Sequence, residues 1–188
     1  MSKLIKTNKK DDKIIVLLFE WIEVIILSTV SVFFITTFLF KHVTVSGDSM
    51  LPTLKNEDRV ILAKYVVTSP RVGDIVVVTN SGIPGHDNLI KRIIAVGGQK
   101  VKVDPKKGEV YVDGILEKAT YTKEPTKTIE DMIPDQEITV PLGCFFVMGD
   151  NRNHSTDSRS KIIGCVERKK VLGKALVVIF PFDRWSLL

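Results

Sequence analysis

The chain of 188 residues is 44% apolar, 26% charged and 7% aromatic, with 12 Gly and 8 Pro. That length supports one domain with its own core plus an appendage and excludes a large multidomain assembly; the mixed signs of charge and modest Gly and Pro content exclude a disordered, collagen-like or low-complexity chain. The net charge of +5 is shared between a Lys-rich start and a mildly basic remainder, neither basic enough for nucleic acid, so attraction to anionic lipid headgroups is the economical reading.

Residues 1–13, with five Lys and two Asp, read as a polar tail. From Val24 to Phe40 there are 17 residues without a charge, which as a helix would cover about 25 Å of the roughly 30 Å hydrocarbon core. Adding Trp21 and Ile22 completes a span of about 21–40 within an anchor of 14–40. Trp21, Glu20 and Glu23 mark one interface, and Lys41 and His42 the other. Five Lys precede the span, against Lys41, Lys55 and Arg59 in the 20 residues after it, so the positive-inside rule predicts a cytoplasmic N-terminus and residues 41–188 outside. The apolar run is longer than that of a cleaved signal peptide, and no Ala follows it until Ala63, so the anchor is expected to remain uncleaved.

The rest is predicted to be mainly β. Short β-branched runs at Arg59–Leu62, Asp74–Val78, Leu89–Ile94, Phe145–Met148, Val166 and Ala175–Phe180 are separated by turn residues. Glu109–Val112 and Ile115–Leu116 flank Asp113-Gly114, a two-residue hairpin turn. From about Asp104 to Pro141 the chain turns more polar, with prolines at 125, 134 and 141, and reads as a hairpin plus loop inserted into the main sheet. Cys144 and Cys165 lack metal-ligand spacing and sit beside bulky apolar residues, so buried free thiols are expected, the alternative being one disulfide between them in an oxidising compartment. No phosphate-binding glycine loop is present.

Three segments carry possible chemistry. Ser46 to Leu54 is a turn of small and rigid residues on which Ser49 can expose its hydroxyl while its own N–H points into the same space, as an acyl-transfer nucleophile with an oxyanion hole requires; the alternative is a plain linker. In a strand over Leu89–Ala95, alternation puts Leu89, Lys91, Ile93 and Ala95 on one face. Lys91 then has only apolar neighbours, and an ammonium so placed loses its proton more easily and can serve as a base, unless it snorkels to solvent. Gly149 to Arg159 is eleven residues without an aliphatic side chain. It is either a solvated loop or a hydrogen-bonded ridge in which Asp157 and Arg159 pair and Ser155 donates to a neutral amine.

With these segments in this order after an anchor, the chain resembles bacterial type I signal peptidases of the Gram-positive form. The resemblance rests on Ser49-Met50-Leu51-Pro52-Thr53-Leu54, Gly73-Asp74-Ile75-Val76, Lys91-Arg92-Ile93-Ile94 followed by Gly97-Gly98, the loop from Gly149 to Arg159, and Gly173-Lys174-Ala175. It implies one transmembrane helix followed by a β-rich Ser/Lys protease domain that rests a hydrophobic surface on the outer leaflet. The implied activity is removal of signal peptides from exported preproteins after small residues at positions −1 and −3, by a monomer in the cell membrane with no metal or cofactor. Carried over to this sequence, Ser49 is the nucleophile and its N–H part of the oxyanion hole, Lys91 the general base, Ser155 the residue that positions the amine, and Asp157 with Arg159 the brace of the loop.

Gly47 stands where some members of that family have a Ser that donates to the oxyanion. Asn153-His154 and Gly97-Gly98 replace the common Asp-Asn and Pro-Gly. A Ser49–His154–Asp157 triad is the rival constellation, disfavoured because related peptidases that use His carry it at the place of Lys91. A signal-peptidase-like assembly factor that binds exported proteins without cutting them would lack the Ser or the Lys. A self-cleaving repressor protease would have a DNA-binding domain where this chain has its apolar helix. The pocket walls that select positions −1 and −3 have no signature in the sequence.

Overall fold

The computed structural model describes residues 9–64, 69–83, 86–127 and 137–188, which fall into two units, one ending at Leu39 and the other covering Phe40–Leu188.

The first unit is one helix, α1 (Lys9–Leu39). Its 27-residue segment Lys13–Leu39 contains a stretch of mean hydropathy 2.2 with no buried residue, and is long and apolar enough to cross a bilayer. Three of the hydroxyls inside it are satisfied locally: Ser28 and Thr29 donate to the Ile25 carbonyl and Thr36 to that of Val32. An apolar surround offers no water to such groups, so they must find partners on their own helix. The helix ends one residue before the expected anchor boundary. Phe40 already belongs to a strand, β1 (Phe40–Thr44), and pairs with Ala63. Pairing with β2 (Arg59–Lys64) takes the hydrogen bonds of this segment into a sheet, where its β-branched Val43 and Thr44 also fit better.

The second unit continues with β3 (Ile75–Ile83), β4 (His86–Val96), β5 (Lys100–Asp104), β6 (Glu109–Val112), β7 (Ile115–Leu116), β8 (Glu137–Thr139), β9 (Cys144–Met148), β10 (Val166–Glu167), β11 (Val171–Phe180) and β12 (Ser186–Leu187). The large sheet runs β1-β2-β11-β3-β4-β9-β10 with β12 beside β11, and a second sheet runs β7-β6-β5-β8. The chain is thus mainly β behind one apolar helix, as its sequence suggests. The polar stretch differs from its expected form: its hairpin belongs to the second sheet, which begins at Lys100, and is not inserted into the first. Asp113 and Gly114 turn that hairpin with φ of +51° and +78°, the conformation an Asp-Gly turn supplies.

β3 explains its own unbroken run of Val. Ile75 and Val77 enter a core with Val60, Leu62, Ala175 and Val178, while Val76 and Val78 enter another with Ile93, Phe145 and Val147. Both faces are covered, so no polar alternation is needed. A third core, with Ile94, Ala95, Phe146 and Met148 on one side and Val101, Val103, Val110 and Val140 on the other, joins the two sheets. At Gly173 a Cβ would meet the Ala63 carbonyl oxygen at 2.2 Å, so only glycine lets β11 approach β2 this closely. Cys144 and Cys165 are half-buried free thiols against the third core, and burial pushes the Cys165 thiol pKa up, with Cys144 adding to it.

Candidate active site

The turn that carries Ser49 is anchored from below. Met50 and Leu54 are fully buried in the first core, each stabilising the turn by about 2 kcal/mol, and the Leu54 N–H donates to the Met50 carbonyl at 2.9 Å. Asp58, also buried, accepts both from the Lys55 N–H at 2.8 Å and from Arg184 Nη1 at 2.7 Å, which ties the C-terminal segment to the base of the turn. With its neighbours pinned, Ser49 stays half-buried at the mouth of a cleft. Its N–H has no acceptor among the described residues.

β4 brings Lys91 to that hydroxyl: Nζ lies 2.7 Å from Ser49 Oγ. Lys91 pairs across the sheet with Val76 and is only 3% exposed. Burial lowers its pKa to about 8; Asp157 works in the opposite direction, while Arg159 adds to the lowering. The expected alternation of β4 breaks after Ile93, where a bulge against β9 lets both Ile94 and Ala95 enter the third core.

The loop from Gly149 to Arg159 is a buried ridge. Asp150, Arg152, Asp157 and Arg159 are all essentially inaccessible. Arg159 grips Asp157 with two bonds of 2.8 Å, and the Gly149 N–H adds a third at 3.0 Å. Burial alone would raise the Asp157 pKa, but Arg159 and the Gly149 N–H outweigh it and hold the carboxyl below its ordinary range. The ridge also fastens the Ser49 turn. Asn151 donates its N–H to the Ser49 carbonyl and its side-chain amide to the Asp48 carbonyl, both at 3.0 Å. Gly149 packs so closely that a Cβ there would meet Ser155 Oγ at 2.3 Å and the Ser49 carbonyl oxygen at 2.5 Å.

Ser155 Oγ is buried beside Gly149 and makes no hydrogen bond, so the bond from Ser155 to the Lys91 amine is not formed in this conformation. His154 is exposed, and no hydrogen bond joins its side chain to Ser49 or Asp157 among the described residues. The Asp157 oxygens are already taken by Arg159 and Gly149, so the triad is not assembled.

Two features escape a reading of the sequence. One is the node at Asp150, which accepts from Arg92 Nε and Nη2 at 2.8 and 2.6 Å and from Thr53 Oγ1 at 2.5 Å. An Asp inside a polar run gives no hint of such partners, although Arg92 beside Lys91 is the kind of charge that must find one if buried. The other is the cleft of about 270 Å³ between Val43–Ser46 and Asn88–Ile90, with Ser49 and Lys91 in its wall. Its two sides lie more than 40 positions apart in sequence. β1 pairs only with β2, and β4 pairs with β9 only from Arg92 onward, so both sides keep a free strand edge among the described residues. No three His, Cys, Asp or Glu side chains cluster as metal ligands among the described residues.

A seryl oxygen 2.7 Å from a buried lysine amine can be deprotonated by it and attack a carbonyl. Residues 18–180 match the family model for signal peptidase, peptidase S26. The chain is 35% identical over 97% of its length to signal peptidase I of Bacillus licheniformis, of which it covers 97%, and 35% identical over 95% of its length to signal peptidase I P of Bacillus subtilis subsp. natto, of which it covers 96%. A solved signal peptidase I from Enterococcus faecalis V583 is 29% identical over 57% of this chain and 97% of its own, with a TM-score of 0.44. The family match covers both Ser49 and Lys91, and the chain belongs to the signal peptidase family, peptidase S26.

Proposed function

We propose that this signal peptidase cuts exported preproteins by a Ser49/Lys91 dyad. The observation that carries the reading is the 2.7 Å separation of Lys91 Nζ and Ser49 Oγ, with the amine buried and its pKa lowered to about 8. In its neutral form the amine takes the Ser49 proton as the oxygen attacks the scissile carbonyl, then returns it to the leaving nitrogen. The free N–H of Ser49 stabilises the oxyanion. Ser155, whose hydroxyl is buried without a partner, turns to donate to the neutral amine, and Asp157 with Arg159 holds the loop that presents it.

The substrate lies extended in the cleft, bonded to the free edges beside Val43–Thr44 and Asn88–Ile90, and is cut after small residues at −1 and −3. The chain acts as a monomer anchored in the cell membrane by α1. Its N-terminal lysines stay in the cytoplasm and the β-rich unit outside. The non-cleaving assembly factor is disfavoured because both members of the dyad are present and in contact.

The test is cleavage of a preprotein ending in Ala-x-Ala by the detergent-solubilised chain. Ser49→Ala and Lys91→Ala are expected to abolish cutting and His154→Ala to leave most of it. Retained cleavage in either of the first two, or its loss in the third alone, would overturn the dyad.

A further inference from the structure

Residues 117–127, the segment after β7, make no hydrogen bond with Ser49 or Lys91, yet they bond repeatedly to the groups that hold both. Glu117 accepts two bonds from Arg152 Nη2, at 3.0 and 3.2 Å. Thr126 Oγ1 accepts from Arg152 Nη1 at 3.3 Å. The Pro125 carbonyl accepts from the Asn153 amide at 3.1 Å, and the Lys127 N–H donates to Asn153 Oδ1 at 2.8 Å. Arg152, fully buried, is itself a beam of the ridge: its Nε donates to the Gly149 carbonyl and its carbonyl accepts from Arg159. A loop with no regular secondary structure is therefore sewn to the ridge at several points.

The remaining contact is with Arg92. Its guanidinium has every nitrogen engaged, Nε and Nη2 with Asp150 and Nη1 with the Gly73 carbonyl at 2.7 Å. One face of the group is then covered by Tyr121, whose ring centroid is 4.0 Å from Cζ. The Tyr121 hydroxyl donates to Glu117, which orients the ring. Burial raises the Tyr121 pKa, with Glu117 adding to it, so the phenol stays protonated and the donor is always present. The Arg92 and Asp150 side chains are left only 12% and 1% exposed.

Building on the dyad reading, we propose that Tyr121 is a positioning residue for catalysis, a ring that caps Arg92 and so holds the Lys91 strand in register with the Ser49 turn. Asp150 receives Arg92 from β4 and Thr53 from the Ser49 turn, so one carboxylate links the element of the nucleophile to that of the base. That node is strong only while water is kept from it, because a solvated ion pair is screened and its side chains regain their rotamers. A ring over a desolvated guanidinium contributes a cation–π attraction as well as cover. An aliphatic residue supplies cover without the attraction or the flat fit. The expected consequence is a loosened Arg92 and a misplaced amine, with the substrate cleft untouched, since Tyr121 does not line it.

The experiment is steady-state cleavage of a peptide containing Ala-x-Ala by the full-length solubilised chain carrying Tyr121→Phe, Tyr121→Leu or Tyr121→Met, beside Ser49→Ala and Lys91→Ala, with thermal melting of each protein. Tyr121→Leu and Tyr121→Met are expected to lower kcat about tenfold or more, the scale of a sub-ångström misplacement, with KM nearly unchanged. Tyr121→Phe keeps the ring and is expected to stay within about threefold of the parent chain. If the Leu variant melts near the assay temperature, the Met variant, of more adaptable shape, carries the comparison. Parental kcat in both aliphatic variants overturns the proposal. So does a Phe variant as slow as they are, or a loss that simply follows the folded fraction. Cleavage by Ser49→Ala or Lys91→Ala would instead break the dyad reading on which the proposal rests.

Discussion

Thr53 donates its hydroxyl to Asp150 at 2.5 Å across 97 positions of sequence. Asp150 is also the carboxylate that receives Arg92, the residue after Lys91. The turn that carries Ser49 and the strand that carries Lys91 thus converge on one buried group, which is a stiffer arrangement than two loops meeting at the surface.

Replacing that carboxylate should be costly. Asp150→Asn leaves the Arg92 guanidinium buried without its counter-charge, a change worth about 3–5 kcal/mol of stability. Thermal or denaturant unfolding of the solubilised protein is expected to show a loss of that order, together with loss of cleavage. An unfolding curve superimposable on the parent would mean that the node does not hold the fold.

With Lys91 as the proposed base, its lowered pKa is expected to set the pH dependence of cutting. The reactive form is the neutral amine, so kcat/KM should rise about tenfold per pH unit on the acid side and level off above about 8. A pH–rate profile on a fixed peptide measures the midpoint. One near the ordinary lysine value of 10.5 would show that burial does not activate the amine.

The same group carries a stability cost of opposite pH dependence to that of a salt-bridged lysine. Its folded pKa, about 8, lies below the unfolded value of 10.5, so the native chain binds fewer protons between those two values. Stability therefore rises as pH climbs from about 8 to 10.5, and the full cost, about 3 kcal/mol, is felt below pH 8. Lys91→Met removes the amine at similar length. It is expected to be inactive yet to melt higher than the parent at pH 7, with the difference shrinking above pH 10. A variant that melts lower at pH 7 would contradict this account.

Gly149→Ala tests the contact between the ridge and the turn. A Cβ at 2.5 Å from the Ser49 carbonyl and 2.3 Å from Ser155 Oγ cannot be accommodated without moving one of them. Overpacking of this kind costs about 1–3 kcal/mol, and cleavage should fall by about a hundredfold because the displaced groups are those of the site. An Ala variant with parental kcat would show that the ridge can retreat harmlessly.

Much of the architecture is legible in local pattern. The strands at Arg59, Ile75 and Phe145 follow their β-branched runs, and the Asp113-Gly114 turn follows from two residues that tolerate positive φ. Where pattern and structure part, a distant partner decides. Phe40 looks like the end of an apolar helix and is a strand because Ala63 lies opposite it. Ile94 and Ala95 depart from alternation because β9 imposes a bulge. The segment 117–127 looks like a polar loop and is bound to Arg92 and Arg152, which its own composition cannot reveal.

By itself the sequence determined one long apolar helix, a β-rich remainder, and a serine, a lysine and a polar loop in a family-like order, because periodicity, charge runs and turn chemistry depend on residues close along the chain. Only the tertiary structure decided that Lys91 meets Ser49, that Asp157 answers Arg159 while His154 is left in solvent, and that Arg92 lies under Tyr121. Desolvation and charge pairing act through space over a few ångströms, and which groups come that close is set by the register of strands drawn from opposite ends of the chain.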